Sequence, residues 1–321
     1  MKTILRTFFA ISPLFFISNL HGQDAIFYQF NGSPIFSNPA FTGLAQKDDK
    51  SKARFVFNYN GGFSGINNYP KAMNLSWDQQ INNLGGVGAH IFRDGNSFYT
   101  HTQIGGSYST QLKISEQTMI SAGAELGFNT KSIDPSQLRW GDQIVATQGF
   151  VNQTQEKFKT NISYFNSAAG IIVSSDHWIG GFSVRNINQP NISFFEGPLK
   201  LKPHYSGMLG YQFKVSEQFR LTPTFQFHVQ QPFKTYLLGG MATIKGVQFS
   251  FQYQTYDKSL RYSDRLNLGV GYGFKSIRLL YNVSAYIDQS IPAGNQHEIG
   301  FRWLWDTKAQ SKKTTKVLSI F

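Results

Sequence analysis

From residue 53 to residue 305 the chain alternates apolar and polar residues one by one, and few folds accept such a pattern over so long a stretch. In the segment 247–253, Val247, Phe249, Phe251 and Tyr253 alternate with Gln248, Ser250 and Gln252. Around 219–229, Phe219, Leu221, Phe225, Phe227 and Val229 alternate with Arg220, Thr222, Thr224, Gln226 and His228. Successive side chains of a β-strand point to opposite sides, so each such segment has one apolar and one polar face. Apolar spacing of the helical kind is not sustained for three turns anywhere after residue 23. Fourteen strands are expected, over 53–60, 71–78, 85–93, 97–112, 117–130, 160–174, 177–187, 201–214, 218–230, 234–244, 247–257, 264–274, 277–288 and 295–305.

The polar face decides between a soluble sandwich, a propeller and a membrane barrel. It is mostly Gln, Asn, Ser, Thr and Gly, and only 15% of the chain is charged while 16% is aromatic. A soluble surface would carry more Lys and Glu, whereas uncharged polar groups suit the lumen of a barrel whose apolar face meets lipid. No repeat with fixed signature residues supports a propeller. Connections at one end of the strands are shorter than at the other, as in outer-membrane barrels with short periplasmic turns. Rings gather near strand ends at Phe98, Tyr99, Tyr164, Phe165, Tyr236, Tyr256, Tyr262, Trp303 and Trp305, the positions of an interfacial girdle. The expected fold is therefore an all-β transmembrane antiparallel barrel of about fourteen strands with an irregular N-terminal segment.

Several function classes are excluded or disfavoured by composition. The chain has no Cys, so neither a disulfide scaffold nor a thiolate metal site is possible. Its net charge is +12, but the bases are scattered rather than gathered into a stripe, and no nucleic-acid partner is expected. Lys2 and Arg6 precede an apolar run containing Phe8, Phe9, Leu14, Phe15 and Phe16, and Gly22-Gln23 offers a cleavage point. Residues 1–22 read as a secretory signal peptide. Residues 23–52 then form a plug or cap, 53–305 the barrel, and 306–321 a basic tail with Lys308, Lys312, Lys313 and Lys316.

The segment Gln23-Asp24-Ala25-Ile26-Phe27-Tyr28-Gln29-Phe30, followed by Pro34-Ile35-Phe36-Ser37-Asn38-Pro39-Ala40-Phe41-Thr42-Gly43, resembles the start of the PorP/SprF family. That family belongs to the type IX secretion and gliding apparatus of Bacteroidetes. Ala25 stands where the family usually has Pro, and Tyr28 where it usually has Ser. Later segments resemble the family in order: Arg139-Trp140-Gly141-Asp142-Gln143-Ile144, then Gly170, Trp178-Ile179-Gly180, Ser183-Val184 and Asn188-Gln189-Pro190, then His297-Glu298-Ile299. The resemblance covers nearly the whole mature chain. It implies an outer-membrane barrel needed for secretion or surface attachment of cargo, such as large adhesins with type B C-terminal sorting domains. It also implies translocon or periplasmic ring components as partners, beside outer-membrane lipid.

No catalytic constellation emerges. The seven His residues are scattered without metal-ligand spacing, a G-x-S-x-G elbow is absent, and Gly269-x-Gly271-x-Gly273 has no helix after it to hold a nucleotide. Glycines two apart share a sheet face and leave room for inward groups or a bend. Asp94-Gly95-Asn96 reads as a hairpin turn rather than a calcium loop. His101 and His228 read as lumen hydrogen-bonders. No cofactor, metal or enzymatic activity is expected.

Two sets of residues are candidates for specific contact. By strand parity Arg54, Arg185, Arg220, Arg265, Arg278 and Arg302 face the lumen with Glu298 among few acids. They either attract anionic segments or hydrogen-bond to Gln, Asn and strand carbonyls. Phe27, Tyr28, Phe36, Asn38, Pro39 and Phe41 lie in the irregular N-terminal segment, whose rings need burial, inside the lumen or over its mouth. Trp140, Asp142 and Phe150 lie in the long connection 131–159, where buried rings would anchor a partner. The function the resemblance implies is a non-enzymatic outer-membrane barrel that acts as accessory or anchor for type IX cargo or for the gliding machinery; the alternative is a diffusion channel or small-solute transporter.

Overall fold

Alternation in sequence becomes a barrel with reversed faces in the computed structural model of the chain, which describes residues 32–47, 50–62, 70–81, 85–138, 140–145, 149–150, 154–257, 263–287 and 295–306. On the inner face Arg54, Asn58 and Ser109 are 0% exposed, while on the outer face Phe165 is 69% and Leu126 is 73% exposed. Each such apolar side chain would gain about 1.5–3 kcal/mol on leaving water. A wall of them is stable only against hydrocarbon. Among the described residues no helix is long and apolar enough to cross a membrane.

Fourteen long strands follow in chain order: β1 (Lys50–Gly62), β2 (Lys71–Ile81), β3 (Gly85–Gly95), β4 (Tyr99–Lys113), β5 (Met119–Ile133), β6 (Asn161–Ser174) and β7 (Trp178–Arg185). After them come β8 (His204–Tyr211), β9 (Phe219–Gln230), β10 (Phe233–Ile244), β11 (Val247–Tyr256), β12 (Arg265–Phe274), β13 (Ile277–Tyr286) and β14 (Gln296–Asp306). Each pairs antiparallel with its sequence neighbours. The sheet closes where β14 meets β1, with Phe301 opposite Phe57 and Asp306 opposite Lys52. Closure pairs the ladder all the way round, as lipid demands.

The expected strands are all present, with three informative differences. The first begins at Lys50 rather than residue 53: Lys52 is held in the ladder opposite Asp306, its ammonium on that carboxylate, and Lys50 and Ser51 pair with Lys47 and Gln46. The segment expected as one strand over 201–214 is broken: β8 starts only after Pro203, and the Gln212 amide turns away to the His177 carbonyl (2.6 Å) before Phe213-Lys214 pair with Leu221-Arg220. Tyr164, expected in the outer girdle, points inward and lies 5.8 Å below the Lys131 ammonium.

Turns at one end are tight. Lys245 and Gly246 both take positive φ (47° and 87°), the geometry that matches a two-residue hairpin to strand twist. The opposite end carries the connections 134–160 and 186–203. At that end Asn96 makes the Asp94-Gly95-Asn96 hairpin, its side-chain carbonyl accepting from the Phe98 and Tyr99 amides at 3.2 and 2.9 Å.

Candidate functional site

Residues 33–45 fold back into the barrel and are almost wholly buried. Their sequence explains why they form neither strand nor long helix. Pro34 opens a single helical turn, Pro34–Ser37, and Pro39 opens a 3-10 turn, Pro39–Phe41. Between them Asn38 is extended and caps the second turn, its carbonyl Oδ1 accepting from the Ala40 amide at 2.9 Å.

The segment then follows the inner wall strand by strand. The Asn58 amide of β1 donates to the Gly32 carbonyl, and the Asn58 and Asn74 amides of β1 and β2 both donate to the Ser33 hydroxyl. Asn38 reaches the far side, donating through Nδ2 to the carbonyls of Ile171 in β6 (3.3 Å) and Phe182 in β7 (3.2 Å). The chain therefore crosses the interior between nearly opposite walls. It returns past β5 and β4, where Ser121 donates to the Ala40 carbonyl (2.7 Å) and Ser109 to the Thr42 carbonyl (2.6 Å). It ends at β2, where the Gly43 amide donates to Asp78 at 2.7 Å. Buried backbone groups must find partners. Here the wall supplies them: Ser183 also donates to the Ser37 carbonyl (2.9 Å) and Arg54 to the Phe41 carbonyl (3.1 Å).

Glycines in the wall make the seat. A Cβ on Gly123 would lie 2.5 Å from Pro39 and Ala40 backbone atoms, one on Gly170 would lie 2.0 Å from Asn38 Oδ1, and one on Gly86 would lie 2.4 Å from the Thr42 carbonyl oxygen. Gly43 itself has φ +72°, and a Cβ there would meet Gly86 Cα at 2.6 Å. Beneath the segment Ile35, Ala40, Phe41 and Leu44 pack with Met119, Ile172, Ile179 and Met241 in one apolar cluster inside an otherwise polar lumen.

Two charged groups clamp it. Arg54 Nε and Nη2 meet the Asp78 carboxylate at 2.9 and 3.0 Å, both side chains fully enclosed. Phe36 stacks on Phe92 with centroids 4.6 Å apart, meets His90 edge-on at 5.5 Å, and carries the Arg185 guanidinium 4.0 Å from its ring centroid. Arg185 is 3.7 Å from Glu125, which accepts from Gln103 at 3.0 Å and lies 3.5 Å from His90.

Of the residues singled out in the sequence, Phe36, Asn38, Pro39, Phe41, Arg54 and Arg185 thus meet at one site, and Phe27 and Tyr28 lie outside the described residues. Trp140 is in the connection 134–160, tilted against Phe158 (5.0 Å) and edge-on to Phe195 of the connection 186–203 (5.8 Å). The Lys159 amide donates to the Phe194 carbonyl (2.7 Å) and further ties these loops. Asp142 accepts from the Thr154 hydroxyl and the Gln155 amide (2.6 Å), so both residues hold the loop together. Phe150 sits in a two-residue ladder opposite Ile144. Arg265 donates to Gln296 and Tyr286, and Glu298 is buried opposite Asn282 and Asn60. Arg278 and Arg302 stand opposite each other, and Arg220 is on the same inner face. His101 bridges Asp94 and Asn129, both at 2.9 Å, whereas His228 packs against His204 at 5.5 Å with no hydrogen bond to its ring nitrogens. Among the described residues no group of three His, Asp or Glu side chains gathers as metal ligands would.

Sequence reasoning missed Asp78, Glu125, His90, Phe92, the serines at 109 and 121 and the glycines at 86 and 123, and it met Gly170 and Ser183 only as points of family resemblance, without a place in the site. The available signal was parity: small residues on an inward face that is otherwise Gln and Asn mark where something is seated.

Comparison with known proteins places this geometry in context. The sequence profile of the type IX secretion system membrane protein PorP/SprF matches residues 19–303. Among solved structures, the Ralstonia pickettii toluene transporter TbuX superposes with a TM-score of 0.52 at 12% identity, over 85% of this chain and 93% of that one. The Pseudomonas putida toluene transporter TodX gives 0.48 at 11% identity, over 88% and 94%. These likenesses are of fold alone. No curated protein matches the sequence.

Proposed function

The chain belongs to the PorP/SprF family of type IX secretion system membrane proteins, and from that premise we propose that it is a non-enzymatic outer-membrane scaffold that anchors secreted cargo or machinery and is not the conduit. The observation that carries this reading is the seated segment 33–45, which crosses the lumen and has its backbone groups taken up by the wall. A chain so fixed acts as a plug. A path for a polypeptide would require its removal at the cost of many hydrogen bonds and an apolar cluster. Tight turns at the Lys52–Asp306 end support a periplasmic position for that end, with the long connections outside. Docking then falls to the connections 134–160 and 186–203, stiffened by Trp140, Phe158 and Phe195. The partners are a large secreted adhesin or other type IX cargo outside, and translocon or periplasmic ring components inside.

The test is affinity purification of the tagged protein from its native membrane, with and without residues 135–159 replaced by a short turn. The scaffold reading expects a large surface protein with the intact barrel and its loss from the shortened one, while both remain heat-modifiable on gels. Undiminished capture by the shortened barrel overturns the loop assignment. A small-solute transporter would instead capture nothing and give liposomes that swell.

A further inference from the structure

We propose that Arg278 and Arg302 form an oxyanion-binding site inside the barrel, one or two residues above its tight-turn rim. The two are directly opposite in the β13–β14 ladder and share the inner face. Cross-strand neighbours of this kind hold their Cβ atoms about 5 Å apart, so two guanidinium groups share one patch of wall.

The inward arginines differ in how their charge is met. Arg54 has Asp78, Arg185 has Glu125 and the Phe36 ring, and Arg265 has Gln296 and the face of Tyr286. Arg278 makes one hydrogen bond, from Nη1 to the neutral Gln248 side chain at 3.3 Å. Arg302 is 5% exposed, and its Nη1 has no partner. Such a buried, unmatched charge calls for an explanation.

Among the described residues no carboxylate nearby supplies one. Across the ladder Arg302 faces Val56 on β1, and Arg278 faces Gly273 on β12. Along its own strand Arg302 has Gly300 and Leu304 as inward neighbours. Glu298 is four residues away, roughly 13 Å along a strand. Asp306 is engaged by Lys52, and Asp78 by Arg54. The pair is reachable from the lumen: Arg278 and Arg220 are only half-buried, and Gly273 puts no side chain beside the Arg278 guanidinium. Arg220 lies at the same level, linked in register through Thr243 to Gln248.

Two planar forks side by side suit an acceptor with several oxygens, each fork taking two parallel N–H···O bonds. The ligand is therefore a phosphate or a carboxylate presented from the periplasmic mouth, either as a free anion or on an acidic protein segment. The experiment uses the full barrel in detergent. Its melting temperature is followed as inorganic phosphate, or N-acetylated triglutamate, replaces chloride at constant ionic strength. Wild type should show a saturable rise of several degrees with at least one probe, and the probe that saturates at lower concentration identifies the source. Arg278→Gln and Arg302→Gln should each raise the half-saturating concentration at least tenfold. Arg278→Gln carries the test if the buried Arg302→Gln does not fold. Absence of a rise with both probes, or an equal rise in a folded variant, overturns the site.

Discussion

Replacing Gly123 by Ala tests whether the seat of the N-terminal segment is steric. The added Cβ would stand 2.5 Å from the Pro39 carbonyl and the Ala40 nitrogen, about 1 Å inside ordinary contact. Those atoms are backbone and have no rotamer to yield, so the segment must lift. Lifting it removes the Ser121 bond to the Ala40 carbonyl and the two bonds from Asn38 Nδ2 to the strand carbonyls of β6 and β7. At about 1 kcal/mol net for each bond, with part of the roughly 2 kcal/mol from burial of Phe41, docking weakens by about 3–5 kcal/mol. Each 1.4 kcal/mol is tenfold, so segment opening rises by roughly 10²-fold to a few thousandfold. Hydrogen exchange of the amides from Ala40 to Leu44 reads this directly, with the amides of β10 to β12 as internal control. Gly106→Ala is the matched control, because nothing lies within 4 Å of a Cβ there. Unchanged exchange over 40–44 in a folded Gly123→Ala barrel would refute the seat, as would equal acceleration by Gly106→Ala.

Other perturbations separate the wall, the clamp and the loops. Asp78→Asn strips the buried Arg54 of its countercharge and leaves one acceptor oxygen where Arg54 and the Gly43 amide shared two; a loss of about 3–5 kcal/mol is expected, read as a lower urea midpoint in detergent, and Asp78→Leu with Arg54→Met should recover much of it. Leu126→Arg places a charge in mid-strand on the outer face and should cost about 2–4 kcal/mol in lipid vesicles, whereas an outer face bathed in water would leave the midpoint unmoved. Trp140→Ala removes the ring between Phe158 and Phe195 and should expose both long connections to protease without altering the mobility of the folded barrel.

The fold was legible because its signal is local and repeated. Once Val247, Phe249 and Phe251 are assigned to one face, Gln248 and Gln252 have only the other, and the fourteen strands follow with small errors at their ends. The errors fall where a tertiary contact overrides the pattern, as at Gln212, whose amide turns to His177, and at Tyr164, an aromatic that faces inward over Asn129 rather than outward. The parity of Arg54, Arg185, Arg278 and Arg302 was legible for the same reason. Their partners were not, because Asp78 and Glu125 carry no spacing that links them to residues tens of positions away. The path of residues 33–45 was likewise hidden. Its prolines and Asn38 announce irregular backbone, but nothing in the sequence says that Asn38 reaches across to Ile171 and Phe182, or that Gly123 and Gly170 leave room for it.

Single-channel recording on the purified barrel in a planar bilayer tests the central claim most directly. With the chain intact the seated segment should keep conductance near the bilayer baseline, and removing residues 23–45 should open a steady current through the polar lumen. A large, stable current from the intact protein, unaltered by that removal, would contradict a plugged scaffold and restore the channel.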